Sequence, residues 1–280
     1  MTTADTASVY QTFLGRRSVR APVTKCCGAT LPTVLTTPAR ADAVIVRAVL
    51  LDLDDTLFDH QHCAREALTG VRSLHDCFAA VDPMALEASH SRILEDLHLD
   101  VMAGRVGLDV ARIERFRRLY LAAGIEPGEE LAVRTAAAYR ERYLEVRQPV
   151  RGAAAFLAAV RARAAVVIVS NNLLQEQQDK LRHCGLDRYV DVLVVSEEAG
   201  VAKPSPRIFE IALERAHVPA QEAVMVGDSW ANDVEGARAA GLRAIWFNRD
   251  GREAPDRAVP VLRSLEPSRQ ACRVIFEGPD

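Results

Sequence analysis

The segment Val49-Leu50-Leu51-Asp52-Leu53-Asp54-Asp55-Thr56-Leu57 carries an uninterrupted apolar run straight into an acidic cluster. Residues 44–51 are β-branched and apolar enough to form a strand buried on both faces, the setting of a parallel sheet covered by helices. Carboxylates are excluded from such an interior, so the acids mark the strand's end. If the chain stays extended past Leu51, Asp52 and Asp54 project to the same side at the carboxyl end. In open α/β sheets that end holds the ligand crevice. Two acids so close require a cation, a shared proton or strong donors, which points to a metal site or a split in pKa. The competing reading of this segment is a solvated Asp-rich turn that closes a strand.

Apolar runs and helical patterns alternate through most of the chain. Strands are expected at residues 44–51, 165–169, 192–195, 223–226 and 244–247, with a weaker one at 259–262; helices are expected at 153–163, 173–184, 206–216 and 232–240. Gly185 and Gly241 follow two of these helices, as suits a helix end. The alternation predicts an α/β fold with a doubly wound, Rossmann-like parallel sheet. Residues 60–148 break it. They contain no convincing strand but several helices: Asp82-Pro83 supplies an N-cap and a first-turn proline, Val110, Ile113, Phe116 and Tyr120 recur at helical spacing, and Glu129-Glu130 suit a helix N-terminus. The expected organisation is a core from 44–59 and 149–280 with an all-helical cap domain, 60–148, inserted after the first strand.

Residues 1–43 are rich in Thr, Ala and Pro and basic at Arg16, Arg17, Arg20, Lys25 and Arg40, with acids only at Asp5 and Asp42. This composition reads as a disordered extension, a bias shared by transit peptides and by starts placed too early. A net charge of -3 gives no general attraction for nucleic acid or anionic membranes, and no run approaches the length of a membrane span. The six cysteines lack zinc spacing and the density of a secreted scaffold, so a reducing, cytoplasmic setting is expected. Adjacent Cys26-Cys27 has no second pair with which to hold a metal.

Other strand ends also carry chemistry. The run ending at Val169 is followed by Ser170-Asn171-Asn172, hydroxyl and amide groups before a helix start that suits phosphate oxygens or simply caps the helix. The run ending at Val226 leads into Gly227-Asp228-Ser229-Trp230-Ala231-Asn232-Asp233, a second pair of acids at a strand terminus; singly they read as turn and cap residues. Lys203, one of only three lysines among 35 basic residues, precedes Pro204-Ser205-Pro206 and could bridge carboxylate and phosphate, or lie on a surface loop.

Together these residues resemble the haloacid dehalogenase superfamily, in its phosphatase branch with a helical cap, over residues 44–265. The motifs occur in order: Asp52-Leu53-Asp54-Asp55-Thr56, Ser170, Lys203 in Ala202-Lys203-Pro204, and Gly227-Asp228 with Asp233. Asp55 stands where glycine is frequent in the family. Residues 115–119 and 196–203 look most like nucleotidases and sugar-phosphate phosphatases of that branch. The resemblance implies a phosphomonoester hydrolase that works through an aspartyl-phosphate. Asp52 would be the nucleophile and Asp54 a general acid and base that starts protonated in a less cationic position. Ser170, Asn171 and Lys203 would hold the phosphoryl oxygens. Mg²⁺ would be bound by Asp52, the Asp54 carbonyl and Asp228, with Asp233 orienting the shell. The expected partner is a small phosphomonoester, whether a nucleoside monophosphate, a sugar phosphate or a phosphoglycolate-like compound, and oligomeric state is left open. A sugar phosphomutase or a haloacid dehalogenase is the alternative on this fold; a non-catalytic binding module is disfavoured because no nucleophile or metal ligand is missing. In the insert, His60 and His62 read as solvated or capping, and Arg112, Arg115 and Arg118 as a wet helical stripe; in the core, Trp230 reads as packed against a neighbouring helix.

Overall fold

The computed structural model describes residues 45–278. The expected extension, 1–43, and Cys26-Cys27 lie outside the described residues. Strand β1 (Ala48–Leu51) leads into five helices, α1 (His60–Leu74), α2 (Asp76–Ala79), α3 (Pro83–Met102), α4 (Leu108–Ala122) and α5 (Glu129–Glu145). There follow α6 (Ala153–Arg161), β2 (Ala165–Ser170), α7 (Leu174–His183), β3 (Val192–Val195), α8 (Ser196–Ala199), α9 (Pro206–Ala216) and β4 (Ala223–Gly227). The chain continues through α10 (Gly236–Ala239), β5 (Arg243–Phe247), β6 (Val261–Leu262) and α11 (Ser268–Phe276). Each expected strand is present, and the strand order β3-β2-β1-β4-β5-β6 is parallel throughout. β1 begins four residues later than expected, because the charged Arg47 reaches out to Glu222 at 2.9 Å instead of joining the buried run.

The period of two distributes the strand residues between two cores. Val49, Leu51, Val166, Ile168, Val224 and Val226 face Phe156 and Leu157 of α6 and Ile275 of α11; Leu50, Val167, Val169 and Met225 face Ile208 and Phe209 of α9 and Ala237 of α10. Every residue of β1 is fully buried. Each such Val or Leu side chain contributes about 1.5–3 kcal/mol relative to an exposed one, so a sheet covered on both faces is strongly selected.

The insert is helical, as its periodicity implies. Asp82 caps α3, its Oδ1 accepting the N–H groups of Met84 and Ala85 at 3.0 Å each, with Pro83 in the first turn. α1 packs along α5, and α4 packs between α3 and α5. Among the described residues no helix is long and apolar enough to cross a membrane.

The segment expected as one helix over 232–240 differs. Residues Trp230–Glu235 form a π-helical turn before the short α10. Such turns recur at functional sites because they re-aim one side chain, and here the residue re-aimed is Asp233, which lies inside the turn and is buried.

Candidate active site

The order of the strands reverses between β1 and β4, so the loops leaving these neighbours diverge and open a crevice at their carboxyl ends. The ladder continues one residue beyond β1, since the Asp52 N–H donates to the Val226 carbonyl at 3.0 Å. Asp52 is thus fixed at the mouth of that crevice. Lys203 Nζ lies between Asp52 Oδ1 and Asp233 Oδ1, 2.6 Å from each. All three groups are buried. Asp233 Oδ2 accepts the Ser229 N–H at 2.9 Å. Gly227 makes room for this carboxylate: a Cβ there would come within 2.3 Å of Asp233 Oδ2, so any side chain would displace it.

Asn171 fixes the Lys203 loop. Its Oδ1 accepts the Lys203 N–H at 2.7 Å and its Nδ2 donates to the Lys203 carbonyl at 2.8 Å. Both ends of the Asn171 amide are thus engaged with the Lys203 backbone. Ser170 is buried, and its Oγ accepts Gln177 Nε2 at 2.5 Å.

Asp52 and Asp54 have different partners. The strand ends at Leu51 and the chain turns sharply, with Asp55 at φ 61 and the Phe58 N–H returning to the Leu53 carbonyl at 2.8 Å. That left-handed φ favours glycine, while the Asp55 carboxylate supports the turn by accepting the Gln61 N–H at 2.8 Å. Asp54 consequently faces Lys180, whose Nζ donates to its two oxygens at 2.6 and 2.8 Å, and Gln177 Nε2, which donates at 2.9 Å. Burial alone would raise the Asp54 pKa, but Lys180, His60 and Gln177 together hold it below the ordinary carboxylate range. The expectation of a protonated Asp54 in a less cationic place is therefore corrected. In this state Asp54 is ionised, and each acid has a lysine of its own.

Oxygens of Asp52, Asp228 and Asp233 lie within 4.8 Å of one another. Burial, then the Asp233 charge, pushes Asp228 up to about 6, and burial raises Asp52 well above the usual range despite Lys203. Three hard oxygen donors with an excess of negative charge fit a divalent cation such as Mg²⁺. The carboxylate of Asp54 is not in this cluster, which leaves only its carbonyl for the role that the resemblance implies. The raised Asp228 pKa gives a testable sign. A proton on Asp228 favours the fold below the unfolded value, and that contribution is lost as pH rises through about 6. A cation takes the proton's place. Excess Mg²⁺ is expected to raise the melting temperature by on the order of 5 °C near pH ~8 and by much less near pH ~5, as melting curves would show; an equal rise at both would contradict the site.

The insert covers the Asp54 side with a cavity of about 130 Å³. His98 Nε2 donates to the Asn171 carbonyl at 2.9 Å, and Arg112 and Arg140 both reach Glu176 of α7, at 2.9 and 3.1 Å. His60 is not solvated: it lines the cavity, bonds Tyr143 Oη through Nδ1 at 2.8 Å, and is pushed down to about 4, first by burial. His62 does not line it. Nor is the arginine stripe uniformly wet. Arg118 is half-exposed beside Glu114, but Arg115 is buried, with its guanidinium carbon 4.6 Å from the Tyr139 ring centroid. Trp230 packs edge-on against Trp246, centroids 5.3 Å apart.

Sequence reasoning missed Lys180 and Gln177. Their spacing of three puts them on one helix face, and the scarcity of lysine that singled out Lys203 applied equally to Lys180.

The model of the haloacid dehalogenase-like hydrolase family matches residues 46–241. Pyrimidine 5'-nucleotidase YjjG of Escherichia coli is 31% identical over 214 residues, covering 76% of this chain and 91% of that protein. A phosphoserine phosphatase of Thermus thermophilus is 35% identical over 230 residues, covering 79% and 89%. The magnesium-bound structure of YfnB from Bacillus subtilis superposes with a TM-score of 0.64 at 25% identity, covering 83% of this chain and 99% of that one. A family match across most of the chain, on a sheet whose crevice gathers the matching motifs, makes the protein an enzyme of the haloacid dehalogenase-like hydrolase family.

Proposed function

We propose that the chain is a Mg²⁺-dependent phosphomonoester hydrolase acting on a small phosphorylated metabolite through an aspartyl-phosphate on Asp52. The observation that carries this reading is Asp52 held by Lys203 at the strand-order reversal, with Asp228 and Asp233 alongside and Asp54 paired with Lys180. The phosphatase and nucleotidase names of the relatives support it. The carboxylates of Asp52 and Asp228 and the carbonyl of Asp54 would hold Mg²⁺, with Asp233 orienting its shell, and the bound ion would supply charge neutralisation at the phosphoryl oxygens.

The protein's own groups do the rest. An Asp52 oxygen attacks phosphorus, the bond to the leaving alcohol breaks, and the alcohol takes its proton from Asp54. Asp54 then accepts a proton from the water that attacks the phosphorus of the aspartyl-phosphate, releasing inorganic phosphate and restoring Asp52. Lys203 and the Ser170 hydroxyl, whose oxygen is already engaged by Gln177, donate to the phosphoryl oxygens. Asn171 keeps Lys203 in place. Bound phosphate is itself anionic and raises the Asp54 pKa, which offsets Lys180 and lets Asp54 enter the first step protonated. Residues 60–148 act as the cap that excludes water and contacts the leaving group. A carbon–halogen hydrolase would need neither the carboxylate pair Asp228 and Asp233 nor a proton donor at Asp54.

The leaving group tests the role of Asp54. Asp54→Asn is expected to slow an alkyl phosphate by ~10²–10⁴-fold and an aryl phosphate with a good leaving group far less, in kcat/KM with Mg²⁺ present. Equal losses on the two would remove Asp54 from proton transfer.

A further inference from the structure

Arg115 lies inside the cap cavity, 8% exposed. Among the described residues it makes no ion pair, and its Nε has no hydrogen-bond partner. Its guanidinium carbon lies 4.6 and 5.0 Å from the ring centroids of Tyr139 and Phe116, which are themselves 5.1 Å apart, so the group rests against this ring pair. Buried arginines are ordinarily matched with a carboxylate or phosphate, because the desolvated charge is otherwise costly. The neighbouring cations are already engaged: Arg112 and Arg140 share Glu176, and Lys180 holds Asp54. Glu176 is the one carboxylate in the cavity wall, set against Arg112, Arg115, Arg140 and Lys180. The cavity is therefore a cationic compartment with one uncommitted planar fork, beginning beside the group proposed to protonate the leaving alcohol.

We propose that Arg115 recognises a carboxylate on the leaving alcohol, so that the substrates are short phosphorylated hydroxy acids. This rests on the phosphatase reading above. A planar guanidinium binds a carboxylate through two parallel N–H donors. Size restricts the class further. A cavity of about 130 Å³ is close to the roughly 150 Å³ that accepts a benzene-sized guest. A leaving group of two or three carbons with its carboxylate matches this volume.

Matched pairs isolate the carboxylate: phosphoglycolate against 2-hydroxyethyl phosphate, and 3-phosphoglycerate against glycerol 3-phosphate, with p-nitrophenyl phosphate as a generic ester. The wild-type enzyme with Mg²⁺ is expected to favour the carboxylated member of at least one pair by ~10²-fold or more in kcat/KM, since a site built for a polar group rejects analogues that lack it. Arg115→Met should erase that preference, mostly through KM, while p-nitrophenyl phosphate turnover changes by no more than about threefold. Arg115→Lys should restore part of the preference. Arg112→Gln, which removes a cation already paired with Glu176, should leave the ratio within about threefold. If Arg115→Met does not fold, the wild-type ratios still decide. Turnover of the generic ester with equal or reversed preference in both pairs overturns the inference and leaves the phosphatase reading intact. Preference for glycerol 1,3-bisphosphate over both carboxylated esters overturns the carboxylate assignment in favour of a second phosphate. Absence of turnover on every ester overturns the phosphatase reading and this inference with it.

Discussion

Asp52→Asn is expected to abolish phosphate release from every monoester, by at least ~10⁴-fold, while the protein stays folded. The substitution keeps the shape of the side chain, and its cost falls on chemistry because an amide cannot form the aspartyl-phosphate. Stability should be nearly unchanged or slightly raised. Burial already lifts the Asp52 pKa, so ionising this carboxylate strains the fold, and Lys203 retains Asp233 as a partner in the variant. Assay of released phosphate together with a melting curve checks both halves. Loss of the fold along with activity would mean that Asp52 is structural.

Lys203→Met should have the opposite profile and damage both properties. Burial alone would depress the Lys203 ammonium, but Asp233 and Asp52 hold it above the ordinary lysine range. Removing it leaves those two carboxylates desolvated and facing each other, at a cost of about 3–5 kcal/mol, and removes a donor to the phosphoryl group worth ~10²–10³-fold in kcat. The pH dependence has a definite sign. Without the ammonium, the Asp52 pKa rises further, and a raised pKa favours the fold only while the proton is bound. The destabilisation should therefore be greatest above neutrality and shrink as the solution is acidified. Denaturant titrations of wild type and variant near pH ~8 and pH ~5 give the comparison. A constant difference would show that the loss is one of packing and not of charge.

Much of the candidate site was legible because its residues follow buried runs. Asp52 and Asp228 each stand just past a fully apolar strand, Ser170 ends one, and Lys203 is followed by two prolines, so local sequence placed them at one edge of the sheet. What eluded the sequence was which groups the side chains meet. The chain leaves the extended form at residue 55, which takes a left-handed φ, and the Asp54 carboxylate is paired with Lys180. Asp233 reaches Lys203 through a π-helical turn where an ordinary helix was expected. Asn171 shows that even a correctly located residue can have its side chain engaged elsewhere.

Arg115 was misread for a different reason. Residues 112, 115 and 118 look like one charged stripe, but Arg115 also lies four residues after Ala111 and four before Leu119, on the face that α4 buries. The apolar stripe was the stronger signal. Lys180 and Gln177 likewise depend on the rotation of α7 about its axis, which only packing against the Asp54 turn determines.

The central claim is that Asp52 accepts the phosphoryl group. Its most direct test is rapid acid quench of the Mg²⁺-loaded enzyme during turnover of a monoester, followed by mass spectrometry of its peptides. The expected result is a phosphoryl group on the peptide that contains Asp52, localised to that residue and accumulating in Asp54→Asn, where its hydrolysis is slowed. Steady phosphate release with that peptide unmodified at every quench time, in both proteins, would contradict the account and point to direct attack by water.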